Sequence, residues 1–305
     1  MRPREKLVLE FWDRSNRLSA KNREYGNFVK DFFSMLLEAD IKNGDITTNS
    51  LIGKNKEISA DIIGKEPGIL AGLEELNFLN KGLRLRPLKK DGDKVRSNEV
   101  IAEIRGNAGK ILSRERANLN LLQRMSGIAT LAYSLNAKLG NCVKIAATRK
   151  TLWGLLDKKA VSLGNGLTHR LSLNDGILIK ENHLKLMDYN FGNAIGSAKS
   201  RSKHIEIEVE KKEQALLAAK AIKNAIRKNN KNLFALMFDK ISPAEMREII
   251  DWIKDKKLYG HMLFEASGNI NQDNMHAYSD CGADIISMGS LTNSAKVLNM
   301  SLEIK

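Results

Sequence analysis

From about position 143 onward, short apolar runs rich in β-branched and aromatic residues alternate with longer stretches in which apolar residues recur every three or four positions. The first pattern suits buried strands and the second suits helices with one apolar face. Strands are expected at 143–147, 176–180, 204–208, 233–239, 262–266 and 284–288, and helices at 151–163, 211–228, 243–256 and 272–281. Ser242 before Pro243 supplies an N-cap and a first-turn proline, with Glu245 at the capping-box position. Strand and helix in alternation predict a parallel α/β architecture.

The first 112 residues follow a different pattern. A helix is expected at 22–39, strands at 58–63 and 83–88, and a tight turn at Asp91-Gly92-Asp93 leading into a strand at 100–105. Turn and strand resemble pieces of a lipoyl-type module, but no lone exposed lysine marks an attachment point, which favours a small α/β domain packed on a barrel. The helix expected at 114–139 joins the halves; Leu119, Leu122, Met125, Ile128 and Leu131 form its apolar stripe, and Arg116 lies off it. The chain is therefore divided into a small α/β domain at 1–112 and a parallel α/β barrel at 113–289, with the tail 290–305 returning to the first domain.

Charge enters at the strand ends. Arg149, Lys150, His169, Arg170 and Lys180 lie close together in sequence; Arg149 and Lys150 follow directly on the run 143–147, and Lys180 closes 176–179. A cation beside such apolar runs is costly to bury without an anionic partner, so an anionic ligand is expected. Lys158 and Lys159, within the expected helix 151–163, read as ordinary solvated side chains. Taken in order, the six strand ends deliver Thr148-Arg149-Lys150, Lys180, Glu208, Asp239, Ser267-Gly268-Asn269 and Gly289-Ser290. In a parallel barrel these ends share one mouth.

Composition narrows the ligand. The 50 Lys and Arg against 36 Asp and Glu give a formal charge of +14, which fits nucleic acid, a membrane surface or a phosphorylated small molecule. The basic residues are spread along the chain, aromatic residues make up only 6%, and neither zinc-finger spacing nor an aromatic RNA-binding motif is present, which weighs against nucleic acid. The basic run 220–231 reads as a solvated helix end. No apolar run approaches the roughly 18 residues of a membrane span, and the N-terminus has no apolar signal core, so no membrane partner and a cytoplasmic location are expected. Cys142 and Cys281 are far apart with apolar neighbours and read as buried free thiols; the five histidines have no ligand spacing, so no tightly held transition metal is expected.

Together the segments ERANLNLLQRMSGIAT (115–130), TRKT (148–151), GNGLTHR (164–170), LIKENH (178–183), IEIEVE (205–210), EASGN (265–269) and MGSLTNSAKVLNMSLEI (288–304) resemble the quinolinate phosphoribosyltransferases, over essentially the whole chain. The resemblance implies a two-domain subunit, an N-terminal α/β sandwich with an incomplete parallel α/β barrel, and a homodimer with shared active sites, assembly beyond the dimer being left open. The implied reaction takes quinolinate and phosphoribosyl pyrophosphate to nicotinate mononucleotide, pyrophosphate and CO2 with Mg2+, in NAD biosynthesis. It implies that Arg149, His169, Arg170 and Lys180 face quinolinate, joined by Arg116 of the neighbouring subunit. Lys150, Glu208 and Asp239 would be catalytic and handle ribose, pyrophosphate and metal, with Lys180 also near the phosphoribosyl donor; Ser267, Gly268, Asn269, Gly289 and Ser290 would hold the 5′-phosphate. The residue types suit those roles: guanidinium groups grip carboxylates bidentately, carboxylates stabilise an oxocarbenium-like centre, and small residues let backbone N–H groups approach a phosphate.

Five positions depart from the family pattern: Trp153 for a proline, Asn165 for a glycine, Lys240 for an asparagine, Asn269 for a glycine and Asn293 for a histidine. Two alternatives stay open at this stage. One is a phosphoribosyltransferase of the same fold with another acceptor, like the molybdenum-associated homologues; the other is a non-catalytic basic binding protein. Retention of all five cations favours the dicarboxylate, and Glu208 and Asp239 have no use in a basic groove.

Overall fold

A computed structural model describes residues 3–140, 143–226 and 232–305. The chain divides into two compact units, one made of Met1–Arg14, Leu135–Arg149 and Leu167–Ser290, the other of Ser15–Ser134, Lys150–Gly166 and Leu291–Lys305.

The first unit holds six parallel strands: β1 (Lys144–Ala146), β2 (Ile177–Ile179), β3 (His204–Val209), β4 (Leu233–Asp239), β5 (Met262–Ser267) and β6 (Ile285–Ser287). Their order is β1-β6-β5-β4-β3-β2, so the two strands adjacent in sequence, β1 and β2, form the two edges. This is a barrel order with one ladder missing, as the alternation of strand and helix predicts. Every predicted strand of this half is present, at most two residues shorter or longer.

Strand periodicity sorts the side chains. Ile205, Ile207 and Val209 of β3 and Phe234, Leu236 and Phe238 of β4 are buried on one face, while Glu206, Glu208, Ala235, Met237 and Asp239 take the other. On that second face Ala235, Leu263 and Ile285 form an apolar floor with Ala146, Leu167 and the helix Pro3–Trp12, which contributes Val8, Phe11 and Trp12. Two residues further along come Met237, Glu265 and Ser287, and then Asp239 and Ser267. The interior thus turns from apolar to polar toward the C-terminal ends of the strands. Arg4 fixes the helix to the opposite end: its Nε and Nη2 each donate to Asp284 at 2.6 Å, and its guanidinium also reaches the Tyr259 and Met262 carbonyls.

Helix Pro243–Asp255 begins as expected, with Ser242 Oγ accepting from Glu245 N–H at 3.3 Å and Met246, Ile249, Ile250 and Ile253 forming the buried stripe. The helix expected at 272–281 shrinks to Met275–Ser279, because Asn271 Oδ1 accepts the amides of Asp273 and Asn274 and holds that stretch in a turn. Lys212–Ile226 ends the helix expected at 211–228; positions 227–231 lie outside the described residues. Cys281 is a buried free thiol, and Cys142 lies outside the described residues.

The second unit is built on a four-stranded antiparallel sheet in the order Met300–Ile304, Glu57–Gly64, Glu99–Asn107, Arg84–Pro87. Its core gathers Ile62, Leu70, Leu76, Ile101, Leu122, Leu298 and Met300. The connecting helix is longer than expected, Ala108–Lys138; Leu119, Leu122, Met125 and Ile128 are buried along it, and Arg116 is exposed.

Lys158 and Lys159 are not solvated. Both are buried, at 2% and 5% exposure, and Lys159 Nζ is ion-paired with Glu74 and, at 2.5 Å, with the fully buried Glu75, to which Tyr25 also donates. The partners of Lys159 come from more than eighty positions earlier in the chain, so helical spacing alone left it on a polar face. The helix itself starts at Leu155 rather than 151: Gly154 has φ +55, and Asp157 Oδ2 accepts the Leu152 and Trp153 amides ahead of the first turn.

Candidate functional site

The predicted polar groups gather at the C-terminal ends of β2 to β5, all within the first unit. Lys180 follows β2, Glu208 lies in β3, and Lys180 Nζ donates to Glu208 Oε2 at 3.2 Å. Asp239 closes β4 and faces Lys240 Nζ at 3.4 Å; the aspartate holds the Lys240 pKa above its ordinary value. The turn after β5 wraps the same place. Lys240 N–H donates to the Ser267 carbonyl at 3.0 Å, and Ser287 Oγ donates to Ser267 Oγ at 3.0 Å. Gly268 has φ +87, and a Cβ there would come within 2.5 Å of both Asp239 Oδ1 and the Lys240 nitrogen, so only glycine fits this close approach. Asn269 follows at φ +55, its carbonyl accepting from Asn274 Nδ2. Gly289 and Ser290 come directly after β6, Ser290 opening the four-residue helix Ser290–Asn293.

The two arginines come from the loops that follow β1 and precede β2. Arg149 is exposed and Arg170 half-buried, which corrects the expectation of cations sunk against apolar strands: like Lys180, they stand at the solvent edge. Burial lowers the Arg170 pKa, and the charge of Arg149 lowers it further. Arg170 Nη1 donates to the Gly176 carbonyl at 3.1 Å, which spans its own loop.

His169 is the exception among the cations. It is buried, at 7% exposure, in a left-handed backbone of φ +54, and its Nε2 lies 2.9 Å from Glu265 Oε2 and 3.3 Å from Glu206 Oε2. Trp12 Nε1 donates to Glu206 Oε1 at 3.2 Å. Burial works against a charged imidazole, but Glu265 and Glu206 outweigh it and raise the His169 pKa to about 9. The Arg170 amide opposes a second ring proton, because it donates to Nδ1 at 2.8 Å and needs the lone pair there. In either protonation state Nε2 carries a proton, and it faces the two carboxylates. Burial, then the charge of Glu265, pushes Glu206 up to about 7, while His169 overcomes burial and keeps Glu265 below the ordinary range.

Sequence reasoning passed over Glu206, Glu265 and Trp12. The signal for the first was available: Glu206 and Glu208 stand two apart in an otherwise apolar strand, which places both on the inner face. Nothing local marked Trp12. His169, Glu206 and Glu265 form the one group among the described residues whose His and carboxylate atoms lie as close as metal ligands, within 4.8 Å. With the imidazole proton on Nε2 they are joined by hydrogen bonds instead.

Lys150 and Arg116 belong to the second unit. Both are exposed, and the Lys150 carbonyl accepts from Thr292 Oγ1 at 2.8 Å. Among the departures from the family pattern, Trp153 packs tilted against Phe32, with ring centroids 5.2 Å apart, and lies under the Arg124 guanidinium. Asn165, Lys240 and Asn269 share one property, a left-handed backbone at φ +63, +61 and +55. Asparagine is the residue other than glycine best suited to that region, so two of the three exchanges keep the backbone conformation at low cost. Asn293 Oδ1 accepts from Ser294 Oγ.

Two family profiles match the chain in succession, the quinolinate phosphoribosyl transferase N-terminal domain over residues 45–126 and its C-terminal domain over 128–303. The chain is 35% identical over 287 residues to a probable nicotinate-nucleotide pyrophosphorylase [carboxylating] of Methanothermobacter thermautotrophicus, covering 91% of this chain and 99% of the relative. It is 37% identical to the Bacillus subtilis protein of the same description, covering 90% and 93%. The solved nicotinate-nucleotide pyrophosphorylase from Francisella tularensis superimposes with a TM-score of 0.79 at 30% identity, covering 92% of this chain and 96% of that one. With both domain profiles in order and more than a third of the residues shared over nine-tenths of its length, the chain belongs to the quinolinate phosphoribosyl transferase family.

Proposed function

We propose that the chain transfers the phosphoribosyl group of phosphoribosyl pyrophosphate to quinolinate with decarboxylation, giving nicotinate mononucleotide, pyrophosphate and CO2 in NAD biosynthesis. The observation that carries this reading is the meeting of cations and carboxylates at the C-terminal strand ends, where Arg149 follows β1, Arg170 precedes β2 and Lys180 Nζ donates to Glu208 Oε2 at 3.2 Å. Cations gathered at that end suit a ligand that brings two negative charges. Quinolinate carries two carboxylates on adjacent ring carbons.

The pyridine nitrogen of quinolinate attacks C1′ as the bond from C1′ to pyrophosphate breaks, its electron pair leaving with the pyrophosphate oxygen. Positive charge develops on the ribose, and Glu208, which accepts from Lys180, would stabilise it. The electron pair of the breaking carbon–carboxylate bond stays on the ring carbon beside the now quaternary nitrogen, whose positive charge stabilises it; CO2 leaves and a proton takes its place on that carbon. Arg149 and Arg170 hold the ring oriented throughout. Glu208 and Asp239 fit Mg2+: both are hard oxygen donors at the ends of neighbouring strands, and glycine at 268 leaves Asp239 Oδ1 uncovered. When bound, Mg2+ supplies neutralising charge to the pyrophosphate leaving group. Lys150 would join the donor's phosphates, and Ser267, Gly268, Asn269, Gly289 and Ser290 would cradle the 5′-phosphate.

The reading includes a homodimer in which Arg116 of one subunit completes the quinolinate site of the other. Arg116 is exposed on a helix whose apolar stripe is already buried in its own unit, which leaves its charge available to a neighbour. The deciding experiment incubates the protein with phosphoribosyl pyrophosphate, Mg2+ and either quinolinate or nicotinate, and follows nicotinate mononucleotide. Turnover is expected with quinolinate alone, because a single carboxylate leaves cations unpaired. Comparable rates with both acids would sink the reading.

A further inference from the structure

The stretch of chain that carries His169 and Arg170 is held from below by the end of the N-terminal helix, which lies outside the residues matched by either family profile. The Trp12 carbonyl accepts the His169 N–H at 2.7 Å, and the Trp12 indole, fully buried, donates to Glu206, the carboxylate beside the His169 ring. Arg14 N–H donates to Thr168 Oγ1 at 2.8 Å, and Thr168 Oγ1 donates in turn to the His169 carbonyl at 2.9 Å. The Arg14 guanidinium reaches the far end of the same loop. Its Nε donates to Asp175 Oδ1 at 3.3 Å, while Asp175 Oδ2 accepts the Leu171 N–H at 2.9 Å. That guanidinium is itself fixed by the carbonyls of Glu10, Phe11 and Asp13, so it acts as a rigid brace; its side chain is only 12% exposed and that of Asp175 9%.

Both ends of the segment are thus tied to two residues that stand apart from the site. The strained backbone of His169 also needs such support, since a left-handed non-glycine residue persists only where its surroundings over-determine it. His169 Nδ1 accepts the Arg170 amide, so the orientation of the histidine passes directly to the arginine.

We propose that Trp12 and Arg14 are positioning residues for Arg170: through His169 and Asp175 they fix the direction of its guanidinium, and with it the affinity for a dicarboxylate, without touching the ligand. The proposal rests on the reading of quinolinate as acceptor for its kinetic part, but not for its structural part. Two variants separate the contributions. Trp12→Phe removes the indole donor while keeping an aromatic ring in the core; Arg14→Gln removes the brace and leaves the backbone donor to Thr168.

Hydrogen exchange of full-length protein, read on peptides covering 168–176, is expected to speed up at that segment in both variants and to stay unchanged in β4 and β5. In turnover assays the KM for quinolinate is expected to rise about tenfold, with the KM for phosphoribosyl pyrophosphate within about twofold of wild type and kcat reduced less than the quinolinate KM is raised. Arg14→Lys, which keeps the charge facing Asp175 but loses the fork to the carbonyls, is expected to fall between. Unchanged exchange at 168–176 in both folded variants overturns the proposal, and so does a loss spread equally over both substrates, the mark of general destabilisation. If wild-type protein does not turn over quinolinate, the proposed reaction fails, and the exchange measurement still decides whether Trp12 and Arg14 hold the segment.

Discussion

Glu208 and Asp239 each sit beside a lysine at the end of a buried strand, and they illustrate what a residue can and cannot announce about itself. Their place was legible because a lone acid closing an apolar run in a parallel fold points to the mouth. Glu206 and Glu265 escaped for a related reason: a carboxylate inside such a run reads as an interruption of the strand, and only the third dimension supplies the imidazole and indole that satisfy it. Glu208→Gln and Asp239→Asn keep shape and remove charge where the ribose becomes cationic. Each is expected to lower kcat by about 100-fold with the melting temperature nearly unchanged. Turnover near wild type in either would remove that residue from the mechanism. Lys240 shows the opposite economy, since a lysine at φ +61 bears the steric cost that asparagine or glycine avoids and recovers little from its exposed contact with Asp239.

Elements were more legible than their partners. Six strands and the helix Pro243–Asp255 fell where periodicity and capping put them, because those signals are local. The helix Leu155–Leu163 was found too, but its burial was misjudged, since Lys159 is satisfied by Glu74 and Glu75 from another helix. Burial lowers the Lys159 pKa, but Glu75 and Glu74 more than restore it, so the cation persists inside. Lys159→Met leaves Glu75 buried without its counter-charge and is expected to cost about 3–5 kcal/mol in urea unfolding, with the double variant Lys159→Met/Glu75→Leu recovering a large part. Additive losses would show that the pair is not coupled. At the start of β3, burial first and Arg14 second lower the His204 pKa below its ordinary 6.5, with Lys203 acting in the same sense and Glu10 and Asp175 opposing. Below pH 6.5 the unfolded chain takes up a proton that the native one resists, so this group's contribution to stability is lost as the pH falls from that value toward the folded pKa. Arg14 Nη2 meets His204 Nδ1 at 3.3 Å, so protonation there also strips Arg14 of an acceptor. Thermal melts between neutral and mildly acidic pH should decline less steeply for His204→Asn than for wild type; parallel curves would clear His204 of the effect.

For the whole molecule, strand–helix alternation and motif order were enough to indicate an incomplete parallel barrel with an N-terminal α/β sandwich; that the second sheet is antiparallel came from the structure. The way the chain is shared between the units was not legible either, because long-range pairing leaves no mark on local spacing. Function at this scale is tested by complementation. If the proposed homodimer with shared sites holds, Arg116→Ala and Lys150→Ala should each be nearly inactive alone, and subunit exchange between them should restore up to about half the wild-type activity per mixed dimer, since one of its two shared sites is then intact. Exchange verified by mass without recovery would place Arg116 outside the neighbour's site. The division into units carries a further consequence. The polypeptide passes from one unit to the other after Arg14, Ser134, Arg149, Gly166 and Ser290, and the strand Met300–Ile304 at the very end pairs with Glu57–Gly64 near the beginning. No single cut releases either unit intact. Neither half can be inherited, lost or expressed as a continuous gene fragment, so the two must be kept or abandoned together, and a shortened transcript of this chain encodes no smaller working part.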